Sequence, residues 1–541
     1  MKVLFVATRK NSDPEDRELY EMDFMNEVLG FERSLLDLGI VTVAACTPRD
    51  VAVQIVDEYV EPIPWDTDAD LVALSAKTSC VAHAYEVAAE FRKRGKKVVL
   101  GGIHASLRPD EALEHVDHVV IGEAEKTWPI FIDQFRRGDA PRRTEDAGFP
   151  PLEDVPIPAW DRIDAGKFLY HQIQTTRGCP FTCRFCSVPD ISGQTFRFKP
   201  VENVVKEILA LPKAGMLRDL MKPLYVVDDN FISKTRYTKE LLAALVPLKK
   251  SGKLRSWSAE TTLNVAKDEE MLDLFAAAGC SILIIGFESV GEATLVEMQK
   301  PVNFCLTYQE ATDRIHRRGM SIVGNFIVGF DTDTLSVFRD TLQFIDDNGI
   351  LYPFFSILTP MPGTKLHEDV KAEGRIDHFD WARYDTRHVV FRPKNMTRDQ
   401  LLDGYHWLYE ESYASDRALA RLERFWSRTT HRRSSAVERA LIGFKMRRFR
   451  GTGTARFQKM MTDGWSLMRR PGLRGNLAQL LYYLDSAHFC DYLDRYRSPD
   501  YAANVRIFKG EAPAPAQDAE LERKQWERKA RQASAAASAA S

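Results

Sequence analysis

The sequence predicts two α/β domains followed by a helical extension: a doubly wound N-terminal sheet, then a partial (β/α)6 barrel. Short apolar runs alternate with amphipathic patterns over residues 1–137, and the same alternation returns from Leu169 to about Gly374. A proline-rich stretch without apolar periodicity separates the two regions, and a helical pattern begins near Asp377. The predicted domains are 1–137, a linker at 138–167, the barrel at 168–375, a helical extension at 376–520, and a tail at 521–541 that is disordered at its end.

Composition and charge narrow the class of protein. The 541 residues are 44% apolar and 28% charged, which excludes a disordered chain and a disulfide scaffold. The formal net charge of −3 provides no overall field that would attract nucleic acid, so we expect no nucleic-acid partner. No apolar run approaches the roughly 18 residues of a membrane span. The start, Met1 to Ala7, has the pattern of a buried strand, and we expect a cytoplasmic protein.

The N-terminal region predicts a parallel sheet of flavodoxin-like size, with helices on both faces. In such sheets the ligand crevice lies at the carboxyl ends of the strands. The loops there are small, hydroxyl-bearing or glycine-rich, namely 75–79, 101–106 and 122–125, although many βα turns have this composition whatever they bind. The predicted strands are Lys2–Ala7, Val41–Cys46, Val53–Asp57, Asp70–Ser75, Lys97–Leu100 and His118–Ile121.

The second alternating region contains six strand–helix units in about 200 residues. That number is too large for a small open sheet and too small for an eight-fold barrel, so a partial barrel is predicted, with chemistry at the carboxyl ends of its strands. The predicted strands are Tyr170–Thr175, Leu224–Val227, Ser256–Glu260, Ile282–Phe287, Ile322–Val328 and Phe354–Leu358.

The helical extension carries a basic segment. Residues 417–474 hold 16 Lys or Arg against three acidic residues, and apolar side chains such as Phe425, Trp426 and Phe444 interleave them. Two interpretations are equally supported: a solvated helical surface, or contact with an anionic membrane face or substrate.

Three of the eight cysteines crowd into one loop. Cys179, Cys183 and Cys186 form a C-x3-C-x2-C pattern after the first barrel strand. Clustered cysteines in a cytosolic chain favour metal binding. Three thiolates can hold three irons of a [4Fe–4S] cluster and leave the fourth open to a ligand that chelates through an amine and a carboxylate. A zinc knuckle is the alternative, but no His follows at a ligand spacing, and His171 lies upstream on the strand.

The cysteine pattern, with an aromatic residue just before its last Cys and a partial barrel after it, resembles the radical S-adenosylmethionine (SAM) superfamily. The predicted strand ends also match, for example in Val226-Val227-Asp228-Asp229-Asn230-Phe231 and Gly286-Phe287-Glu288-Ser289. The resemblance implies that the three cysteines bind the cluster, that Phe185 flanks the adenine, and that Asp229, together with Asp228, receives the methionyl ammonium. It further implies hydrogen bonds to the ribose or amino-acid part from Glu260, Glu288 and Asn325.

A doubly wound domain before such a barrel resembles the cobalamin-binding branch of the superfamily. The D-x-H-x-x-G signature of cobalamin mutases is absent from the sequence, so the resemblance implies a cobalamin without that histidine ligand. For His104 a role in the turn, or facing a phosphate, is favoured over metal ligation. The implied cobalamin residues are Ser75, Thr78, Gly101, Gly102, His104, Gly122 and Glu123.

The resemblance covers residues 1–375, and residues 387–413 resemble a subgroup with hopanoid and other lipid or natural-product methylases. It implies methylation of an unactivated carbon in a small-molecule or lipid substrate, through a 5′-deoxyadenosyl radical and methylcobalamin. An external one-electron reductant of flavodoxin or ferredoxin type is implied, and peripheral contact with the inner membrane face is an open expectation. The alternatives are an oxidative cyclase or ring-rearranging enzyme, and a non-catalytic cobalamin or metal sensor. Methylthiolation of tRNA is disfavoured. The relatives that catalyse it have three further N-terminal cysteines for a second cluster, and only Cys46 and Cys80 are available here.

Overall fold

The computed structural model describes residues 1–11, 21–145, 148–215, 218–219, 222–298, 307–429, 434–470, 473 and 475–513, without the side chains of 437, 438 and 441. Cys305 and the predicted tail lie outside these residues. The strands are β1 Lys2–Ala7, β2 Ala52–Asp57, β3 Leu71–Ser75, β4 Lys97–Gly101, β5 His118–Val120, β6 Arg143–Thr144, β7 His171–Ile173, β8 Thr176–Arg177, β9 Arg197–Phe198, β10 Leu224–Val226, β11 Trp257–Thr261, β12 Cys280–Glu288, β13 Ser321–Val328 and β14 Tyr352–Ile357.

The α-helices alternate with these strands and then continue alone. They are α1 Asp23–Leu29, α2 Leu38–Ala45, α3 Val81–Lys93, α4 Ile103–Leu107, α5 Pro109–His115, α6 Ala124–Arg137, α7 Val188–Ser192, α8 Val201–Leu209, α9 Thr235–Lys250, α10 Glu269–Ala277, α11 Glu292–Glu297, α12 Tyr308–Arg317, α13 Ser336–Asn348, α14 Lys365–Ala372, α15 Arg398–Ser412, α16 Ser415–Arg428, α17 Ala436–Met446, α18 Ala455–Arg469, α19 Leu477–Leu493 and α20 Tyr501–Phe508.

The N-terminal sheet is parallel, in the order β2-β1-β3-β4-β5-β6. Its direction of winding reverses between β1 and β3, where Ala7 pairs with Ser75 at the carboxyl ends. β1 is apolar from Val3 to Ala7 and buried throughout, because helices cover both faces. The predicted doubly wound fold is confirmed, and its ligand crevice lies at this reversal.

One predicted strand of this domain is wrong. Residues 41–46 belong to the helix α2 and its end, not to a strand. The run Leu38 to Ala45 is apolar on all sides, so periodicity does not distinguish a buried strand from a buried helix. The helix is selected at its start, where the Asp37 carboxylate accepts a hydrogen bond from the Ile40 backbone N–H at 3.2 Å.

The chain between β1 and α2 leaves its own domain and packs on the barrel. Residues 32–36 run beside the edge strand β7: Leu169 N–H donates to Arg33 O at 2.8 Å, and Tyr170 N–H donates to Ser34 O at 3.1 Å. Helix α1, which precedes these residues, packs against α17 and α19 of the C-terminal region. The two α/β domains and the helical extension are therefore linked by an early insertion.

The second sheet is also parallel and has the sequential order β14-β13-β12-β11-β10-β7, as a partial (β/α)6 barrel requires. In β13 the part-exposed residues Val323, Asn325 and Ile327 alternate with buried ones. One face of each strand thus packs on helices and the other faces the barrel interior. Bulges in the pairing of β11 with β12 and of β12 with β13 adjust the register near the strand ends.

The C-terminal helices pack on the edge strand β14 and on its amino end. The Tyr409 hydroxyl donates to Phe355 O at 3.2 Å, the Tyr413 hydroxyl donates to Pro353 O at 2.8 Å, and the Tyr483 hydroxyl donates to Leu351 O at 2.7 Å. These bonds attach α15 and α19 to β14. Across the described ranges, no helix is both long and apolar enough to span a membrane.

In the basic segment, most of the interleaved apolar residues belong to the core. Phe425 and Trp426 are 4% and 1% exposed, whereas Phe444 is 70% exposed. Several cations are paired, among them Arg421, whose guanidinium lies 3.0 Å from Asp346. Packing in the core accounts for these buried residues, and both interpretations of the exposed ones stay predictions.

Candidate active site

The cysteine loop is closed at its base by a two-stranded antiparallel ribbon. β8 pairs with β9 through Thr176 with Phe198 and Arg177 with Arg197, and residues 178–196 form the loop between them. Gly178 opens the loop at φ +89°, and a Cβ there would lie 2.5 Å from Thr195 O. Only glycine meets both conditions, so the backbone enters the loop by a close approach that a side chain would block.

The base of the loop is ion-paired to the N-terminal domain. Arg177 lies 2.8 Å from Glu123 and 2.5 Å from Glu125, and Arg197 also pairs with Glu123. All four side chains are 8–13% exposed. Burial lowers the pKa of Arg177, but the two carboxylates outweigh it and raise that pKa above its usual range. The β5–α6 loop and the cysteine loop are therefore fixed to each other by buried, charge-assisted hydrogen bonds.

The three cysteine thiols are part-exposed on this loop and interact electrostatically. Burial is the largest contribution to the pKa of the Cys186 thiol, and Cys183, Cys179 and Asp229 raise it further, to about 12. In the described part of the chain the seven cysteines are thiols, not disulfides. Within it, no three metal-binding side chains are gathered around a single-ion position. The donor set is three thiols in one loop, which is suited to an iron–sulfur cluster.

The two adjacent aspartates after β10 have different environments. Asp228 is 1% exposed, and its carboxylate accepts hydrogen bonds from the backbone N–H of Thr175 at 2.5 Å and of Thr176 at 3.0 Å. It also accepts one from the Thr175 hydroxyl. Asp228 therefore holds the segment that leads from β7 into the cysteine loop, and a direct contact with SAM is not favoured.

Asp229 points to the loop instead. Its carboxylate accepts a hydrogen bond from Gly178 N–H at 3.3 Å, next to the first cysteine. Burial, followed by the charge of Asp228, raises the pKa of Asp229 to about 6. An anionic group in this position can attract an ammonium, and such a cation would lower the pKa again.

Glu260 and Glu288 extend this acidic surface along the strand ends. Tyr225 donates a hydrogen bond to Glu260. Burial raises the pKa of Glu260 to about 7, and the charges of Asp229, Glu288 and Asp228 add to the increase. Glu288 has φ +62°, which is unusual for a residue with a side chain, and it follows a bulge at the end of β12. Strained backbone of this kind concentrates at functional sites.

Asn325 and Phe185 complete the set predicted around SAM. Asn325 is part-exposed in β13, and its strand neighbours in register are Gly286 and Phe354. Phe185 packs edge-on against Phe330, with ring centroids 6.2 Å apart. The carboxyl ends of β10 to β13 and the cysteine loop thus form one edge of the barrel.

A cavity of about 190 Å³ lies at the carboxyl ends of the N-terminal sheet, under α2. Of the residues predicted to bind cobalamin, five line it: Ser75, Gly101, Gly102, Gly122 and Glu123. Gly102 has φ +95°, and a Cβ there would lie 2.9 Å from Ala76 O, so this turn requires glycine. The Glu123 carboxylate is already bound to Arg177 and Arg197, which favours a positioning role.

Thr78 and His104 lie elsewhere. His104 is fully buried, 5.1 Å from Trp381 between ring centroids, and its Nε2 lies 3.4 Å from a Glu111 oxygen. Its side chain belongs to the packing of α4 against the C-terminal region, which favours the turn-stabilising role over a cobalamin contact. Thr78 lines a second cavity, described next.

A cavity of about 240 Å³ lies between the two domains, and we name it the interdomain crevice. Its walls come from residues 77–79, 103 and 107 on one side and from Ser187, Met361 and residues 384–387 on the other. Thr386 has φ +64°, a strained conformation for a β-branched residue, and its carbonyl accepts a hydrogen bond from Ile357 N–H at the end of β14. The crevice lies where loops at the carboxyl ends of both sheets meet.

Several of these functional contacts were missed at the level of sequence. Arg177 lies two residues before the first cysteine of the loop, but its partner Glu123 is 54 residues earlier in the sequence, and no pattern links the two. The Ser106 hydroxyl joins two glycine turns, because it donates to Gly102 O and accepts from Gly122 N–H, both at 2.9 Å. Ser106 is the fourth residue of α4, and a serine in a short helix carries no sequence signal that would mark it for this role.

Comparison with known proteins identifies the family. Residues 31–132 match the B12 binding domain, 173–345 the radical SAM superfamily, and 364–476 a domain of unknown function, DUF4070. The chain is 31% identical over 397 residues to bacteriochlorophyllide d C-12(1)-methyltransferase of Chlorobaculum tepidum, covering 72% of this chain and 85% of that protein. The chain belongs to the cobalamin-binding radical SAM family. The radical SAM domain implies a [4Fe–4S] cluster and SAM, and the B12-binding domain implies cobalamin.

Other relatives extend the likeness over most of the chain. Hopanoid C-2 methylase of Rhodopseudomonas palustris is 27% identical over 506 residues, covering 88% of this chain and 92% of that protein. The solved structure of the cobalamin-dependent SAM radical enzyme OxsB, with aqua-cobalamin and SAM bound, superposes with a TM-score of 0.58. It is 14% identical and covers 97% of this chain and 83% of its own. That likeness supports the fold.

Proposed function

We propose that this protein methylates an unactivated carbon of an apolar small molecule, with the reacting carbon held in the interdomain crevice. The observation that carries the proposal is the buried pairing of Arg177 and Arg197 with Glu123, which fixes the cysteine loop to the cobalamin domain. Relatives named as methyltransferases support the reaction class. When bound, the cluster, SAM and cobalamin supply the electron, the radical and the methyl group.

Cys179, Cys183 and Cys186 would hold the cluster. The ribbon of β8 and β9 keeps the loop closed, and Leu366 N–H donates to Arg184 O at 2.9 Å on its far side. A loop fixed at both points can present its thiolates in a constant arrangement and leave one iron for SAM. This preorganisation is the contribution of the protein to the electron-transfer step.

For SAM, the acidic strand ends provide the charge complement. Asp229 would receive the methionyl ammonium, and Glu260, Glu288 and Asn325 would bind the ribose or amino-acid part. Phe185 would lie along the adenine. SAM carries positive charge at its sulfonium and its ammonium, so a surface of carboxylates at this edge of the barrel favours it over neutral analogues.

For cobalamin, the glycine turns at 101–102 and 122 allow close approach of a ligand to the backbone. Ser75 would contribute its hydroxyl, which donates to Asp37 at 3.0 Å, and Thr78 faces the interdomain crevice. Trp128 and Phe5 give the cavity of the N-terminal sheet its apolar wall. We infer that cobalamin binds at this face with no histidine ligand from His104.

The partners of the reaction also follow from this assignment. We infer an external one-electron reductant of flavodoxin or ferredoxin type, because a [4Fe–4S] cluster that gives an electron to SAM must be reduced again from outside. Peripheral membrane contact would involve Phe444, which is 70% exposed beside Arg447 and Arg448. Sedimentation with anionic vesicles tests that contact, and equal binding by Phe444→Ser would remove it from the account.

Incubation with SAM labelled with ¹³C in its methyl group tests the function without knowledge of the substrate. The protein, reconstituted without oxygen with cluster and reduced cobalamin, should transfer the label to cobalamin and form S-adenosylhomocysteine. With dithionite it should also form 5′-deoxyadenosine. Formation of 5′-deoxyadenosine without label on cobalamin would favour the oxidative cyclase reaction, and formation of neither would overturn the enzymatic assignment.

A further inference from the structure

A separate cavity of about 830 Å³ lies between α1 and the C-terminal helices α18 and α19. We name it the aromatic chamber and define it by Phe24, Phe31, Phe449, Phe457, Phe489 and Tyr492. Protein interiors contain few voids larger than a water molecule, whereas pockets for small ligands have roughly 300–1,000 Å³. The volume of the chamber is that of a ligand pocket.

Rigid aromatic rings on α1, α18 and α19 line the aromatic chamber. Phe24 on α1 lies edge-on to Phe449 and to Phe457, with centroid distances of 4.9 Å in both cases. On α19, Phe489 and Tyr492 are stacked with centroids 6.0 Å apart. Flat, stiff walls favour a flat, stiff ligand, because ring faces stack well and a fused-ring molecule loses little conformational entropy on binding.

Six carboxylates line the aromatic chamber, and at least four of them lie within 4.0 Å of a cation of the protein. Glu21 lies 3.0 Å from Arg33, and Glu27 lies 3.2 Å from Arg448. Asp485, also in the lining, accepts a hydrogen bond at 3.0 Å from the Met25 backbone N–H in the first turn of α1. These acids therefore act in holding α1 in place, and the aromatic rings remain as the surface for an uncharged occupant.

The aromatic chamber adjoins the interdomain crevice. Arg387 lines both cavities, and its guanidinium carbon lies 5.7 Å from the centre of the Tyr492 ring. Arg387 is itself held by Asp385 at 3.1 Å, within the strained turn that contains Thr386. Arg387, 5% exposed, is thus the side chain that the two cavities have in common.

We propose that the aromatic chamber binds the uncharged fused-ring body of the substrate while the carbon to be methylated lies in the interdomain crevice. That this occupant is the substrate rests on the proposed function, whereas the existence of the binding site does not. The occupant is identified by its chemistry: a neutral, rigid, polycyclic apolar molecule, in preference to a single flexible chain.

Fluorescence titration of the full-length protein tests the site with two neutral probes. The first is dehydroergosterol, a fluorescent fused-ring alcohol, and the second is parinaryl alcohol, a fluorescent single-chain alcohol. We expect one dehydroergosterol per chain and at least about tenfold weaker binding of the chain alcohol. Thr452→Trp, at the exposed mouth of the aromatic chamber, should weaken dehydroergosterol binding by about tenfold or more.

Two further variants make the test specific. Thr462→Trp places the same ring on an exposed position of α18 away from the aromatic chamber and should leave the dissociation constant within about twofold. Phe489→Leu keeps the wall apolar but removes a ring, so it should weaken the fused-ring probe more than the chain probe. Absence of dehydroergosterol binding, equal binding by Thr452→Trp, or preference for the chain alcohol would overturn the proposal.

A parallel assay separates this inference from the proposed function. Thr462→Trp, on α18 outside the aromatic chamber, should form 5′-deoxyadenosine from SAM at the rate of the unaltered protein. If the unaltered protein binds dehydroergosterol in the aromatic chamber but cleaves no SAM, only the proposed function fails. If it cleaves SAM but does not bind dehydroergosterol as expected, only the assignment of the aromatic chamber is overturned.

Discussion

Arg177 donates to Glu123 across 2.8 Å, and this contact joins the cysteine loop of one domain to the β5–α6 loop of the other. The pair is buried, and Arg197, on the other strand of the ribbon, forms a second ion pair with Glu123. The relative position of the cysteine loop and the β5–α6 loop is therefore fixed by charged side chains. This relative position does not depend on the linker residues 138–167 alone.

Glu123→Gln should destabilise the protein, because two buried guanidiniums lose a charged partner. We expect a decrease of roughly 3 kcal/mol in the free energy of unfolding, measured by urea titration. Glu114→Gln, at an exposed position of α5, is the control and should change it by less than about 0.5 kcal/mol. Equal stabilities of the two variants would contradict the role of this contact.

The two neighbouring aspartates should respond differently to removal of charge. Asp229→Asn should raise the dissociation constant for SAM by at least about tenfold with little change in Tm, since it removes the partner of the ammonium. Asp228→Asn should lower Tm, because its carboxylate holds backbone N–H groups in the core. Calorimetric titration with SAM and thermal unfolding measure the two effects. A loss of stability confined to Asp229→Asn would reverse the assignment.

Binding of SAM should strengthen as pH rises from 6 to 8. Glu260 has a pKa of about 7, raised first by burial and then by Asp229, Glu288 and Asp228. Above that pH its carboxylate is charged and attracts the cationic ligand, whereas below it the group is neutral, so the dissociation constant falls with increasing pH. In Glu260→Gln the dependence should flatten over this range. An unchanged pH profile in that variant would exclude Glu260 as its source.

The entry to the cysteine loop should not tolerate a side chain. Gly178→Ala forces a Cβ to within 2.5 Å of Thr195 O, at φ +89°, and should abolish most cluster binding after reconstitution, measured as iron per chain. Gly95→Ala is a matched control, with φ +78° and open space around the Cβ position, and should cost only about 1 kcal/mol of stability. Normal iron content in Gly178→Ala would show that the loop adapts.

The fold followed from periodicity where periodicity was informative. The barrel strands were predicted to within a few residues, because runs such as Ile322–Val328 are strand-length and separated by clearly amphipathic helices. The strand predicted at residues 41–46 was wrong, because an apolar run fits a buried helix equally well. The insertion at α1 could not be predicted either, since its partners lie more than 400 residues later, as in the bond from Met25 to Asp485.

The candidate site could be proposed from the sequence where spacing carries the chemistry, and the roles of its residues stay predictions. Cys179, Cys183 and Cys186 follow from their pattern alone, and the strand-end carboxylates follow from the resemblance. Sequence could not tell that Asp228 faces the backbone whereas Asp229 faces the loop, because adjacent residues at a strand end differ only in direction. Nor could it pair Arg177 with Glu123, which needs the docking of two domains.

The most direct test of the account is electron paramagnetic resonance of the reduced protein, reconstituted and kept without oxygen. We expect a [4Fe–4S] signal that changes on addition of SAM, because one iron is left for that ligand. Cys183→Ala should lose the signal, whereas Cys46→Ala, outside the loop, should retain it. A reduced protein that contains no such cluster, or whose signal is identical with and without SAM, would contradict the central claim.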